Sequence, residues 1–232
     1  MAIKRSRCFN MKNVYVIGGG GVGSWLTPAM CLLVGDPSKV IVVDGDLLEK
    51  KNLNRQLFTE REIGVCKAVA LADKYNCQSV NRYYASGMLE MDRGDWIMCC
   101  VDNNLGRKEV LATCDSTGAR AVFGSNETLS SEAYYYQASW KRTELDPRTY
   151  YPEINTDKSN DPRAAAIGCV EAMQNGNVQL VSANIAAASH MLHLYNLWAT
   201  EAGKLNREAK EHLPYRIRQN MTKFEVFKQF KK

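Results

Sequence analysis

Three glycines, Gly18, Gly20 and Gly23, and one aspartate, Asp44, are the first residues of the chain whose types and spacing suit a chemical task. The glycines form a GxGxxG pattern, and Asp44 follows them by about 20 positions. Glycine lets a backbone come close to a phosphate, and the N-terminus of a following helix turns its free N–H groups towards the anion. A carboxylate at the place of Asp44 is set to accept the hydroxyls of a ribose. Taken alone, these four residues specify a nucleotide, with a dinucleotide such as NAD as the default.

The elements that must hold these residues are legible around them. An apolar strand, Val14–Ile17, runs into the glycines; a helix from Ser24 to about Val34 follows, and a second apolar strand, Val40–Val43, ends on Asp44. That is a βαβ unit. Leu47–Phe58 is too polar for a strand and reads as a loop with one helical turn. A helix from about Val65, a strand over Gln78–Ala85, a nearly continuous apolar strand over Asp95–Val101, a helix from about Asn104 to Cys114 and a strand over Ala119–Gly124 continue the alternation of an open, mostly parallel sheet. The character then changes. Ala133–Trp140 predicts an antiparallel addition, and Lys141–Asp161 a long loop. Asn177–Trp198 predicts a long helix with Val178, Val181, Ile185, Ala188, Leu192 and Tyr195 on one face, and His212–Phe230 two short strands about a turn at Asn220–Thr222.

The bulk numbers fit this organisation. At 232 residues, 45% hydrophobic and 24% charged, the chain suits one globular domain, with a nucleotide-binding core over 12–126 and the antiparallel strands, crossover loop and long helix over 127–232. No apolar run reaches the roughly 18 residues of a membrane span, and the basic first ten residues lack the apolar run of a secretory signal. The net charge of +5 gathers largely at the two ends without interleaved aromatics, so nucleic acid is not an expected partner. The eight cysteines have no CxxC spacing, which predicts no structural zinc and a reduced, cytoplasmic protein.

The polar residues beyond Asp44 carry a family resemblance. Asp44-Gly45-Asp46, then Asn52-Leu53-Asn54-Arg55-Gln56, then Ile63-Gly64-Val65-Cys66-Lys67, then Asp102-Asn103 at a strand end follow the glycines in order. In these motifs the chain resembles the ThiF/MoeB family, which includes the adenylating domains of ubiquitin-activating enzymes; the resemblance is strong from about Lys12 to Asn126 and looser beyond. It implies a Rossmann-like α/β fold, with a mostly parallel central sheet, helices on both faces and an antiparallel C-terminal addition. It also implies ATP in place of NAD. Family members join a carboxylate to the α-phosphate of ATP, and pyrophosphate leaves. A carboxylate is a poor nucleophile and both reactants are negative, so catalysis rests on positioning and charge neutralisation. By resemblance, Asp44 holds the ribose, Arg55 meets the phosphates towards the β/γ end, and Lys67 lies near the reacting centre. Asn52 and Gln56 position these groups, and Asp46 belongs to the same set or only shapes the loop. Asp102 holds Mg²⁺; capping the helix that starts near Asn104 is its structural alternative.

Cys169 is a second chemical candidate. It stands in Ala166-Ile167-Gly168-Cys169-Val170-Glu171, after the long loop and before the long helix. In several family members a cysteine at this place takes the activated acyl group as a thioester, and the run from Gly168 is similar to a ThiF-like subgroup of plasmid PRTRC systems. A small packing residue is the alternative for Cys169. Cys66, Cys99 and Cys100 read as core, and His190 and His193 as structural histidines. The resemblance implies a small ubiquitin-like or sulfur-carrier protein, or a peptide, as the carboxylate partner. It also implies a homodimer in which Arg5 or Arg7 reaches the partner's ATP. A non-protein carboxylate or amide such as a tRNA base, and a nucleotide-binding scaffold without catalysis, are the competing functions.

Overall fold

The computed structural model describes residues 13–127, 129–156, 181–201, 213–221, 223 and 225–230. Cys169, and the arginines Arg5 and Arg7, lie outside the described residues. Three four-residue runs, VYVI in β1 (Val14–Ile17), VIVV in β2 (Val40–Val43) and WIMC in β4 (Trp96–Cys99), are buried along their whole length. Strands apolar on both sides need cover on both faces, which is the environment of an inner parallel strand. With β3 (Gln78–Val80) and β5 (Arg120–Asn126) they form five parallel strands in the order β3-β2-β1-β4-β5. β6 (Ser130–Tyr136), β7 (Pro214–Asn220) and β8 (Glu225–Phe230) extend the same sheet antiparallel, giving eight strands among the described residues. The fold is α/β and Rossmann-like, as expected.

Right-handed crossovers place the helices. The β1–β2 and β4–β5 connections run in opposite directions across the sheet, so α1 (Gly21–Val34) and α3 (Asn104–Thr117) cover opposite faces. α2 (Lys67–Tyr75) packs beside α1. Two single turns, α4 (Pro147–Tyr150) and α5 (Glu153–Thr156), follow β6, and α5 packs on α3. The long helix α6 (Val181–Asn196) packs on α1, β5 and β6. The strand order reverses between β1 and β4, and the carboxyl ends of these two strands open a crevice where ligands of such sheets bind.

Four expectations are corrected. α1 starts at Gly21, one turn before Ser24, because its cap is Gly20, whose lack of a side chain leaves no sequence signal. The helix expected from Val65 starts at Lys67. Of Gln78–Ala85 only Gln78–Val80 pairs; Tyr83 and Tyr84 turn instead to Asp46 and Thr113 through their hydroxyls, both at 2.7 Å. The loop expected from Lys141 contains α4 and α5. Asp146 caps α4 by accepting the Arg148 N–H at 3.0 Å ahead of Pro147, and Arg148 and Lys141 both pair with Asp115 of α3 at 2.8 and 2.9 Å.

The buried face of α6 also differs from the expected one. It consists of Ala183, Asn184, Ala187, Ala188, Met191, Leu194 and Tyr195, while Ile185 is 43% exposed; Val178 lies outside the described residues. The small residues let α6 approach α1 and the sheet closely, and that close approach outweighs the burial of the bulkier β-branched residues. The aromatic run of β6 divides by strand alternation. Tyr135 stacks on Trp198 at 4.3 Å, and Tyr134 stacks on Phe123 at 4.8 Å.

Candidate active site

The glycine loop lies at the carboxyl end of β1, between β2 and β4. The Gly18 N–H donates to the Val43 carbonyl and the Cys100 N–H to the Ile17 carbonyl, each at 2.8 Å. Gly18 has φ 95°, a left-handed conformation that favours glycine. A Cβ at Gly23 would stand 1.8 Å from the Gly18 carbonyl oxygen, so the loop can fold back on α1 only with glycine there. The first turn of α1 carries no acidic side chain. Its leading N–H groups, which lack partners within the helix, therefore face the crevice with their partial positive charge intact.

Asp44 lies under this loop. One of its oxygens accepts the Gly19 N–H at 2.6 Å and the other the Asp46 N–H at 2.7 Å. A carboxylate has about four lone-pair positions, so acceptor capacity remains on both oxygens. Burial pushes the Asp44 carboxyl above the usual carboxylate range, against the pull of Lys67 and of the two backbone N–H groups.

Lys67 returns to this point through the polar loop. Asn52 accepts the Glu49 N–H on its side-chain oxygen at 3.0 Å, and Glu62 accepts the Thr59 N–H at 2.6 Å. These two contacts fix two short helical turns. Gly64, at φ 84°, then reverses the chain, so that Leu48 donates to Val65 at 2.8 Å and Lys67 donates its backbone N–H to Asp46 at 2.9 Å. The Lys67 ammonium reaches the Asp46 carboxylate at 2.8 Å and is nearly buried. Burial works against the Asp46 carboxylate, but hydrogen bonds from Lys67 and Tyr83 outweigh it and hold its pKa below the usual range. The arrangement is a nearly buried ammonium beside two carboxylates, next to an open helix N-terminus.

Arg55 and Gln56 follow Asn52, whose carbonyl accepts both of their backbone N–H groups, at 3.2 and 3.0 Å. The Arg55 guanidinium lies at the rim and donates to the Lys51 carbonyl at 3.1 Å. Gln56 is buried, and its Nε2 lies 3.7 Å from the Cβ position of Gly20. Asp102 is exposed past the end of β4. Helix α3 has Asn103 as its N-cap, which accepts the Gly106 N–H at 2.7 Å, so the capping position belongs to the residue after Asp102. The structure thus gathers Gly18, Gly20, Gly23, Asp44, Asp46 and Lys67 with Asn52, Arg55 and Gln56 around the end of β1, and sets Asp102 on the neighbouring strand end.

The other described cysteines near the motifs are buried. Cys99 and Cys100 are buried, and burial pushes the Cys99 thiol up to about 12 and Cys100 well above its ordinary value, which makes both poor nucleophiles. Cys66 is buried and donates its thiol to the Asp44 carbonyl at 3.3 Å. His190 lies 3.5 Å from the Ser131 hydroxyl, and among the described residues no three His, Cys, Asp or Glu side chains cluster as a metal site. Three residues that touch the site were missed in the sequence: Tyr83 on Asp46, and Trp25 and Asn184 on the Arg55 carbonyl. Asn184 had one signal, a carboxamide in the middle of a small, apolar helical run.

Comparisons with known proteins bear on the family and the fold. Ubiquitin-like modifier-activating enzyme 5 of Drosophila virilis is 31% identical over 125 residues, 45% of this chain and 31% of that protein. The same-named protein of Culex quinquefasciatus is 30% identical over 134 residues, 49% of this chain and 33% of that one. The chain therefore spans less than half the length of these curated relatives. The crystal structure of E. coli MccB with ATP shares the fold at a TM-score of 0.65 and 15% identity, over 96% of this chain and 65% of that one. PaaA shares it at a TM-score of 0.63 and 15% identity, over 96% of this chain and 74% of that one. The model of the ThiF family matches residues 5–213, and with the motifs in place around the end of β1, the chain belongs to the ThiF family.

Proposed function

We propose that this chain is an ATP-dependent adenylating enzyme of the cytoplasm. Its substrate is the C-terminal carboxylate of a small ubiquitin-like or sulfur-carrier protein, or of a peptide. A carboxylate oxygen attacks the α-phosphorus of ATP, the α–β bridging P–O bond breaks, and pyrophosphate leaves. The observation that carries this reading is Lys67 held by Asp46 beside the glycine loop. A cofactor that merely sits in the crevice needs the loop and Asp44 but no ammonium at the phosphates. The curated relatives are named as activating enzymes, and MccB, which shares the fold, has been crystallised with ATP and with MccA, which supports a site that takes ATP and a second reactant.

In this reading Asp44 takes the ribose hydroxyls and the α1 N-terminus takes phosphate oxygens. Lys67 shifts from Asp46 towards the developing charge, and Arg55 swings from the rim onto the outer phosphates. Asn52 and Gln56 keep the loop in register. A single exposed carboxylate at Asp102 suits Mg²⁺, which takes one or two carboxylates together with phosphate oxygens. When bound, the ion offsets phosphate charge. We also propose a homodimer in which Arg5 or Arg7 serves the partner's site, and Cys169 as acceptor of the acyl group: its thiolate attacks the acyl carbon, AMP leaves and a thioester forms.

Titration calorimetry tests the nucleotide assignment. ATP–Mg²⁺ is expected to bind and NAD is not; the reverse outcome overturns the reading. Asp44→Asn is expected to weaken ATP by about ten- to hundredfold, the range for a hydrogen bond to a charged acceptor. Because the folded protein raises the Asp44 pKa, this carboxylate takes up its proton at a higher pH than an ordinary aspartate. Affinity is therefore expected to fall on acidification from above the ordinary aspartate range, with the fall smaller in Asp44→Asn; equal pH profiles would remove Asp44 from the ribose site. In Cys169→Ala a reducing-agent-sensitive acyl adduct is expected to vanish while ATP–pyrophosphate exchange continues. An adduct that persists would assign the thioester elsewhere.

A further inference from the structure

We propose that Asn184 is a positioning residue for Arg55, and that helix α6 is thereby part of the nucleotide site; this rests on reading Arg55 as a phosphate ligand. The Arg55 backbone carbonyl accepts two side-chain donors, Trp25 Nε1 from α1 at 3.2 Å and Asn184 Nδ2 from α6 at 3.1 Å. Two residues on, the Leu57 N–H donates to the Ser24 hydroxyl of α1 at 3.1 Å. Three side chains thus fasten residues 55–57 against the first turns of α1, and Asn184 alone of the three comes from beyond β6. Among the described residues the Arg55 guanidinium hydrogen-bonds within its own loop, to the Lys51 carbonyl and the Asn54 side chain, so the reach of that cation is set by where its backbone is held.

Asn184 is fully buried on a face that also carries Ala183, Ala187, Ala188 and Met191. A carboxamide in such surroundings is costly unless it is hydrogen-bonded. Among the described residues only half of it is: Nδ2 bonds Arg55, while Oδ1 has no partner and lies 2.9 Å from the Cβ position of Gly21, the first residue of α1. The side-chain oxygen of Gln56, beside Arg55, is likewise buried without a partner. Two carboxamides, one from the polar loop and one from α6, therefore flank Gly20 and Gly21 with an acceptor left over on each. A packing role alone would be filled better by leucine, which has no polar atom to leave unmatched. The clamp also means that a displacement of the α6 N-terminus moves Arg55, and Cys169 precedes that helix in sequence.

A double-mutant cycle read by ATP–Mg²⁺ calorimetry tests this. Asn184→Leu keeps bulk and removes the donor; it is expected to weaken ATP about tenfold, the equivalent of one lost buried hydrogen bond. Trp25→Phe keeps the ring, removes the other donor and is expected to act in the same direction to a smaller extent. In an Arg55→Ala background neither change is expected to weaken ATP further, because the cation they position is gone. A full effect of either change in that background, or wild-type affinity in both single variants, overturns the proposal. Trp25→Phe carries the test if Asn184→Leu does not fold. Failure of the unmodified protein to bind ATP would instead overturn the site reading itself.

Discussion

Lys67→Ala is expected to slow ATP–pyrophosphate exchange by about 10²–10³-fold, the cost of removing one preorganised stabilising group from a transition state. The expectation follows from charge. Asp44 and Asp46 both lie within reach of the Lys67 ammonium, Asp46 at 2.8 Å and Asp44 in its electrostatic field. Removing the ammonium leaves two carboxylates facing a polyanion and a third, attacking carboxylate. The loss is expected mainly in kcat, with a smaller loss in ATP affinity, because the charge that Lys67 meets grows as the α–β bond breaks. Fold stability is also expected to fall, because the Asp46 side chain is 44% exposed but that of Lys67 only 9%, so the pair is sheltered on the lysine side and its loss leaves Asp46 without its cation. Single-turnover formation of AMP, beside a thermal melt, separates the two effects. A normal turnover rate would remove Lys67 from the reaction.

Gly23→Ala is expected to fail for the opposite reason, through the fold. The added Cβ would stand 1.8 Å from the Gly18 carbonyl oxygen and 2.9 Å from its carbon, and both are backbone atoms that no side-chain rotation can move aside. Overpacking commonly costs about 1–3 kcal/mol, and a clash of backbone on Cβ belongs at or above the upper end. For a chain of this size that corresponds to a fall in melting temperature of about 5–10 °C, together with loss of ATP binding. Gly20→Ala is the control. Its Cβ meets only Gln56 Nε2, at 3.7 Å. It should melt close to the unmodified protein and reveal what a methyl group at the helix N-terminus does to the nucleotide alone. A Gly23→Ala protein as stable as Gly20→Ala would contradict the loop geometry.

The two variants also show why some of this molecule was legible in its sequence. The inner strands were readable because VYVI, VIVV and WIMC have no polar side to present to solvent, and each is buried throughout. The gathering of the candidate nucleotide residues at the end of β1 is legible because their motifs keep fixed order and spacing along one βαβ frame and the loop after it. The start of α1 was not, because a glycine cap gives no side-chain signal. At the end of β4, Asp102 and Asn103 are equally able to cap a helix, and only the structure assigns that role to Asn103. The buried face of α6 is not legible from side-chain bulk, because alanines make the close contact. Nor is Asn184, whose partner Arg55 is remote in sequence and bonded through its backbone. Side-chain patterns do not record such contacts.

The central claim, that ATP is cleaved between its α- and β-phosphates by attack of a carboxylate, is tested most directly by following the label of α-³²P-ATP. The assay contains Mg²⁺ and a small carrier protein ending in Gly-Gly. Labelled AMP, and label joined to the carrier, are expected with the unmodified protein and not with Lys67→Ala or Asp102→Ala. Labelled ADP as the product, or labelled AMP formed equally well by both variants, would contradict the account.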